Sequence, residues 1–228
     1  MSNFSRLKSI TSLSEVAPKG IVRLSRRQCD LLRKMEDWAG VKLTKLTAAE
    51  LRLLEDIQKT GLHNGIVKGI LESKKLAQVA IPRLNTSRQE ILKAVRDLAK
   101  TGNKAGYETL MKRLAIDHPN VKGFLYEAQY AAAKEASAVG QTLKYDKKTS
   151  DIDATVQSVF CQAKCYLDSP LDMTKSLTAW ITAARKKAGG DLSKVRLVVH
   201  DKDNMTTRMK TYIEDLMDKG LKFEQWPP

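Results

Sequence analysis

A short stretch of the chain, SDIDATVQSVFCQAKCYLD from Ser150 to Asp168, concentrates residues that could do chemistry on a phosphate. Asp151 and Asp153 stand two apart, and so do Gln162, Lys164 and Tyr166. In a strand, residues two apart share a face, so each set points one way. Cys161, Ala163 and Cys165 take the opposite face and are small and apolar enough for a core. A buried ammonium without a partner is costly, so Lys164 must face a carboxylate, a phosphate or a site. If the two strands pair, a carboxylate, an amide oxygen and a Lys converge. The preceding helical stretch, NVKGFLYEAQYAAAKEA, adds Glu127 beside Tyr126 in otherwise Ala-rich surroundings. Glu127, Asp153, the Gln162 side-chain carbonyl and the Ala163 backbone carbonyl would make an all-oxygen cage. Such a cage suits Mg²⁺ or Mn²⁺. The ion would polarise a phosphate and lower the pKa of an attacking water, and Lys164 would orient that water or stabilise developing charge. Asp151 would stand behind as a second acid.

Each of these residues also has a purely structural reading. Asp151 and Asp153 suit an exposed hairpin near its turn. Lys164 suits an edge strand, where Lys blocks further pairing. Glu127 is a good helix former and suits a solvated face. Cys161 and Cys165 read as inert core thiols. His63, His118 and His200 read as loop or strand-end residues rather than as catalysts or ligands.

The elements that must position this group can be traced from the pattern. Residues 1–24 read as a loose Ser- and Lys-rich leader. Ser25 can cap a helix running to Trp38 and stopped by Gly40. Thr47 and Glu50, and again Ser87 and Glu90, have capping-box spacing and open helices that end near Gly61 and Gly102. Residues 64–80 read as one helix and 104–115 as another. Val121–Val139 reads as an amphipathic helix. The period then changes: Gln141–Lys147, Asp151–Ser158 and Val159–Leu167 read as strands, with a turn at 147–150. Pro170 and Asp172 lead into a helix over about 174–188. Val195–His200 reads as a buried strand, Asn204 caps a helix to Lys219, and Leu221–Trp226 reads as a last strand. The expected fold is therefore α/β: an α-helical N-terminal region, 1–102, then α-β-β-β-α-β-α-β over 103–228.

Bulk properties narrow the partner. The 228 residues carry 40 Lys and Arg against 26 Asp and Glu, a formal charge of +14, which concentrates polyanions at the surface. Nucleic acid is the leading expectation, an anionic membrane surface the second. Arg185, Lys186 and Lys187 form one basic cluster that could contact phosphates, although cations at a helix end also answer its dipole. Arg23, Arg26 and Arg27 form another. Aromatics are only 6%, which argues against a surface stacking many bases. Three Cys, an odd count with no CxxC, argue against a disulfide framework and exclude a four-Cys zinc site, and three scattered His give no HExxH. No phosphate-loop, dinucleotide or GxSxG motif occurs. No apolar run reaches the ~20 residues of a membrane span, and no secretory signal is apparent.

An acid on a helix, a D-I-D strand and then a Q-A-K strand together resemble the PD-(D/E)XK nuclease superfamily. The resemblance covers about residues 119–226 and implies a restriction-endonuclease-like αβββαβ core with a mixed sheet. It matches Asp153 to the metal-binding Asp, Lys164 to the motif Lys and Glu127 to the acid often found on the first helix. Gln162 stands where most members carry Glu or Asp, and no Pro precedes the Asp. The resemblance implies a Mg²⁺- or Mn²⁺-dependent nuclease acting on DNA or RNA, and a toxin or mobile-element nuclease fits the chain's size. Its site of action would be the cytoplasm, including after delivery from another cell, and an acidic protein inhibitor would be a natural partner. The Gln162 departure leaves open a non-catalytic nucleic-acid-binding protein on the same fold.

Overall fold

Capping decides where the N-terminal helices begin and end. The computed structural model describes residues 26–40, 42, 46–145, 148–166 and 174–228. Helix α1 (Arg26–Ala39) closes on Gly40, which takes a left-handed φ of +70°. Helix α2 (Ala48–Lys59) opens on a complete capping box: the Glu50 N–H donates to Thr47 Oγ1 at 3.2 Å, and the Thr47 N–H donates to the Glu50 carboxylate at 2.7 Å. The helix expected over 64–80 is two, α3 (Asn64–Glu72) and α4 (Lys74–Ala77). Ser73 divides them. Its backbone is extended, its hydroxyl accepts from the Leu76 N–H at 3.1 Å, and it donates to Asp117 Oδ1 at 2.8 Å. A Ser that caps a new helix cannot continue the old one. Helix α5 (Arg88–Leu98) starts at Ser87, whose hydroxyl accepts from Glu90 N–H. The Glu90 carboxylate lies 3.8 Å from Lys93.

Helix α6 (Lys104–Leu114) and helix α7 (Val121–Ala133) lead into the sheet. Helix α7 stops short of the expected Val139. Glu135 turns left-handed at φ +50°, and the Ala136 N–H returns to the Ala131 carbonyl at 2.9 Å, closing the helix end. Then follow β1 (Ala138–Tyr145), β2 (Lys148–Val156), β3 (Val159–Lys164), α8 (Thr174–Lys187), β4 (Val195–Val199), α9 (Thr207–Met217) and β5 (Lys222–Gln225). From α7 onward the observed order is the expected α-β-β-β-α-β-α-β. The strands lie in the order β1-β2-β3-β4-β5, with the first two pairings antiparallel and the last two parallel. The fold is α/β with a mixed five-stranded sheet and, among the described residues, nine α-helices.

The strand limits shift in two places. Residues 148–150, expected in a turn, extend β2. Gln157 and Ser158, expected to end a strand, form the turn between β2 and β3, both with positive φ, +48° and +64°. Two left-handed residues give the tight hairpin connection whose twist suits the flanking strands. Strand β3 ends at Lys164 rather than Leu167. Helix α9 is capped by Thr206, not Asn204, whose side chain donates instead to the Tyr166 carbonyl. The leader 1–24, the Ser25 cap, Lys147 of the expected turn and the Pro170–Asp172 lead-in lie outside the described residues, as does Arg23.

The two faces of the sheet carry different cores. One cluster runs from Met35 through Leu54, Leu92, Leu125 and Tyr130 to Cys161, Ala163, Val198 and Trp226. The helices before residue 103 thus share a continuous core with α7 and the sheet. The other cluster joins Ile152, Leu197 and Val199 to Trp180 of α8 and Ile213 of α9. Helix α6 reaches β1 at very close range: a Cβ on Gly106 would lie 1.8 Å from the Val139 carbonyl oxygen. Asn103 caps this helix by accepting from Gly106 N–H and donates to the same Val139 carbonyl, both at 3.0 Å. Only a residue without a side chain permits that approach.

Candidate active site

The ladder between β2 and β3 is three pairs long and ends at Ala154↔Cys161. Beyond it, Asp153 spans the opening with its side chain. Asp153 Oδ2 accepts from the Ala163 N–H at 2.7 Å and from the Gln162 side-chain amide. A carboxylate thus takes the backbone donor that a longer ladder would have used, which keeps that N–H satisfied. Ile152 and Ala154 are one pleat apart, yet Ile152 joins the α8–α9 core and Ala154 the other. Strand β2 therefore turns over at Asp153.

Strand β3 alternates as its sequence implies. Cys161 and Ala163 enter the core under α7, while Phe160 packs on the α8–α9 side. Gln162 and Lys164 share the parity of Phe160 and line a cleft of about 260 Å³ with Asp151, Asp153, Glu127 and Arg113. The Lys164 ammonium lies 3.7 Å from Asp153 Oδ2, and the two side chains are 22% and 7% exposed. Arg113 Nη2 lies 3.4 Å from Asp151 Oδ2, and the Arg113 guanidinium also sits 5.4 Å from the Phe124 ring centre. Leu177 and Trp180 of α8 and Met209 of α9 supply an apolar wall.

The electrostatics follow from burial and crowding of like charge. Burial, reinforced by the Asp153 charge, pushes the Glu127 carboxyl well above the usual carboxylate range. Burial also raises the Asp153 carboxyl, against the pull of Lys164 and the Ala163 N–H. Burial works to lower the Lys164 ammonium, but Asp153 and Glu127 outweigh it and raise its pKa. The cleft is lined by three carboxylates and two cations, so it favours added positive charge.

Glu127 and Asp153 supply hard oxygen donors, and both fit a divalent cation, whose charge would offset the burial that raises them. Gln162 and Ala163 present N–H groups to Asp153 in this arrangement, so the four-oxygen cage expected from the sequence is not assembled. Presenting the Gln162 oxygen requires its amide to rotate half a turn, which would place two acceptors together unless a cation lies between them. Among the described residues, no group of three or more His, Cys, Asp and Glu side chains is placed to hold a metal.

Of the residues singled out in the sequence, Glu127, Asp151, Asp153, Gln162 and Lys164 meet at this cleft. Arg185, Lys186 and Lys187 do not. They end α8, whose opposite end supplies Ser176 and Leu177 to the cleft, roughly 15 Å away at 1.5 Å per helical residue. There Arg185 donates to the Gly190 carbonyl at 2.9 Å, and Lys187 lies over the Phe160 ring at 5.5 Å. The histidines have structural partners. His63 caps α3, His118 accepts from the Asn120 N–H, and buried His200 meets the Pro82 carbonyl at 2.8 Å. Sequence reasoning missed Arg113 and Trp180, which reach the cleft through the packing of α6 and α8. Neither carries a local signal; Arg113 is one cation among several on an amphipathic helix. Compared with family models, curated proteins and solved structures, the chain matches none.

Proposed function

We propose that this chain is a metal-dependent nuclease that hydrolyses phosphodiester bonds in DNA or RNA on a restriction-endonuclease-like core. The observation that carries the reading is the convergence of Lys164 with Asp153 and Glu127 in one desolvated cleft, on the β-β-α succession where a PD-(D/E)XK site would fall. A half-buried Lys held between a buried and a half-buried carboxylate is expensive to maintain as pure structure. Perturbed carboxyls and a charged amine in one cleft are the usual signature of a working site. The surplus of 14 positive charges supports a polyanionic substrate.

Glu127 and Asp153 would hold Mg²⁺ or Mn²⁺, which when bound supplies positive charge to the scissile phosphate and acidity to the attacking water. Lys164, held by Asp153 from below, would donate to that water or to a phosphate oxygen as charge develops. Gln162 would fix the Asp153 carboxylate by hydrogen bonding, or add its own oxygen after rotation. Arg113, now paired with Asp151, would steady the flanking backbone. A toxin or mobile-element nuclease acting in a cytoplasm, restrained by an acidic protein inhibitor, is the setting such a small basic nuclease would fit.

One specific observation favours a second reading, a nucleic-acid-binding protein without catalysis. The Gln162 amide nitrogen already occupies Asp153 Oδ2 together with the Ala163 N–H. The deciding experiment compares wild type and Lys164→Ala on plasmid DNA and total tRNA with Mg²⁺, Mn²⁺ or EDTA. Metal-dependent cutting that the folded variant has lost supports the nuclease. Binding without cutting under every metal supports the second reading.

A further inference from the structure

The loop that joins α6 to α7, residues 115–120, carries an aromatic and cationic surface at the border of the cleft. Its Ile116 is 54% exposed, one of two large apolar side chains that stand in water among the described residues. Two residues on, the half-buried His118 ring lies 5.4 Å from the ring of Phe124, tilted by 43°. The Arg113 guanidinium sits over the same Phe124 ring, also at 5.4 Å. Two relations fix this group beside the candidate active site. Arg113 lines the cleft and pairs with Asp151 there. Phe124 and Glu127 are three apart on α7, so they share a face, and Glu127 lines the cleft as well.

The loop is held in place before any ligand arrives. Asp117, its one acid, is tied to α4: its Oδ1 accepts from the Ser73 hydroxyl at 2.8 Å and from the Lys75 N–H at 3.1 Å, and the Lys75 ammonium donates to the Asp117 carbonyl at 2.9 Å. His118 Nδ1 accepts from the Asn120 N–H at 3.0 Å, which fixes the ring. Side chains already immobilised in the free protein lose little freedom on binding. Lys112 lies in the last turn of α6 and Lys122 in the first turn of α7, so cations flank the loop. Apolar and aromatic groups among cations match an unpaired base on a phosphate backbone. Bases stack on rings and guanidinium planes, and phosphates answer the cations. In a duplex the base faces are stacked on one another and cannot reach such a surface.

We propose that this loop is a stacking platform for one unpaired base, so that the nucleic acid entering the cleft is single-stranded at that point. The base lies against His118 and Ile116, with Phe124 behind the imidazole, and the adjoining phosphate lies near Arg113. The inference rests on nucleic-acid binding at the cleft, as proposed above, and adds the form of the substrate; it does not require cleavage.

The test is fluorescence titration of the full chain, in EDTA, with a short pyrimidine strand carrying one 2-aminopurine and with the same strand annealed to its complement. Both are made as DNA and as RNA, and the tighter-bound sugar is followed. Stacking on the protein should quench the single strand. His118→Asn removes the ring but keeps an acceptor for the Asn120 N–H. It should abolish most of the quench and weaken the single strand about tenfold. The salt dependence should keep its slope, because no phosphate contact is lost. Duplex affinity should stay at the wild-type value. Ile116→Ser, at an exposed position, should weaken the single strand about threefold and decides if His118→Asn fails to fold. Equal losses on single strand and duplex, or no loss on either, would overturn the proposal, as would an unquenched single strand. Cleavage of the same substrates with Mg²⁺ or Mn²⁺ keeps the two readings apart. A quenched single strand that is never cut supports the platform and removes the nuclease. Duplex cutting with no quench supports the nuclease and removes the platform.

Discussion

Lys164 and Asp153 face each other across the point where β2 leaves β3, their charged atoms 3.7 Å apart and both side chains largely withdrawn from water. The relation depends on the strand divergence. Had the ladder continued past Ala154↔Cys161, the Ala163 N–H would have gone to β2 and Asp153 would have lost its backbone donor. The opening therefore exchanges backbone pairing for a carboxylate held in place by its neighbours, which is how a rigid sheet can present an acid to a cleft.

Replacing Lys164 by Met tests whether the ammonium works on substrate. The alkyl bulk remains and only the charge goes. On the proposed nuclease function, cleavage of DNA or RNA should fall by about 100-fold or more, since removing one positioned donor of transition-state charge costs that much. The loss should appear in kcat, with substrate affinity reduced far less. A variant that keeps its rate would remove Lys164 from the chemistry.

Gln162→Glu asks what the amide does. The change adds a negative charge beside two carboxyls that burial already disfavours as anions. Without metal the variant should be less stable than wild type by about 2 kcal/mol, the cost of a further desolvated like charge. With Mg²⁺ or Mn²⁺ it should recover and gain a larger rise in Tm than wild type, because stabilisation follows ligand affinity. Thermal melts with EDTA and with each metal measure both. An equal response to metal in the two proteins would show that position 162 lies outside the coordination sphere.

Much of this architecture was legible because the period of the apolar residues changes where the secondary structure does. Leu51, Leu54 and Ile57 bury one face of α2, and the alternation of Cys161 and Ala163 against Gln162 and Lys164 survives into the structure. Gln162 and Lys164 were traceable for the same reason, since a strand assigns faces by parity; Asp151 and Asp153 reach the cleft from a strand that turns over between its two cores. What escaped had no local signal. Gln157-Ser158 makes a turn with two positive φ values without the Asn or Gly that usually announces one. Ser73 breaks a helix through a contact with Asp117, 44 residues away in sequence. Arg113 and Trp180 enter the cleft by tertiary packing, and the orientation of the Gln162 amide is decided by a carboxylate on another strand.

The Glu50–Arg88 pair ties the start of α2 to the start of α5 and sets a pH dependence for the helical region. Arg88 donates to both Glu50 oxygens, at 2.6 and 3.0 Å. Burial works to raise the Glu50 carboxyl, but the bonds from Arg88 and from the Thr47 N–H prevail and hold it below its ordinary 4.5. A carboxyl whose folded pKa is depressed binds fewer protons folded than unfolded. Its stabilisation is complete above the unfolded value and is lost as pH falls through the folded one. Glu50→Gln should therefore be less stable than wild type at pH 7, by about 1–2 kcal/mol. The gap should narrow as pH falls below 4.5. Urea titrations across that range follow it, and a gap independent of pH would assign the loss to packing instead.

Gly106 is the position where the scaffold beneath the cleft is least tolerant. A methyl group there would meet the Val139 carbonyl oxygen at 1.8 Å and the Asn103 side-chain nitrogen at 2.6 Å. The first obstacle is backbone and cannot swing aside, so α6 must lift from β1 or β1 must bend. Gly106→Ala should cost about 3 kcal/mol, the upper end for forcing extra atoms into a packed contact. It should also shift Arg113, two turns further along the same helix, relative to its partner Asp151. The variant is thus expected to lose stability and cleavage together. Arg113→Met, which leaves α6 seated, should lower cleavage with a much smaller change in Tm. If the two variants lose activity in proportion to stability alone, Arg113 is a structural cation and the cleft acts without it.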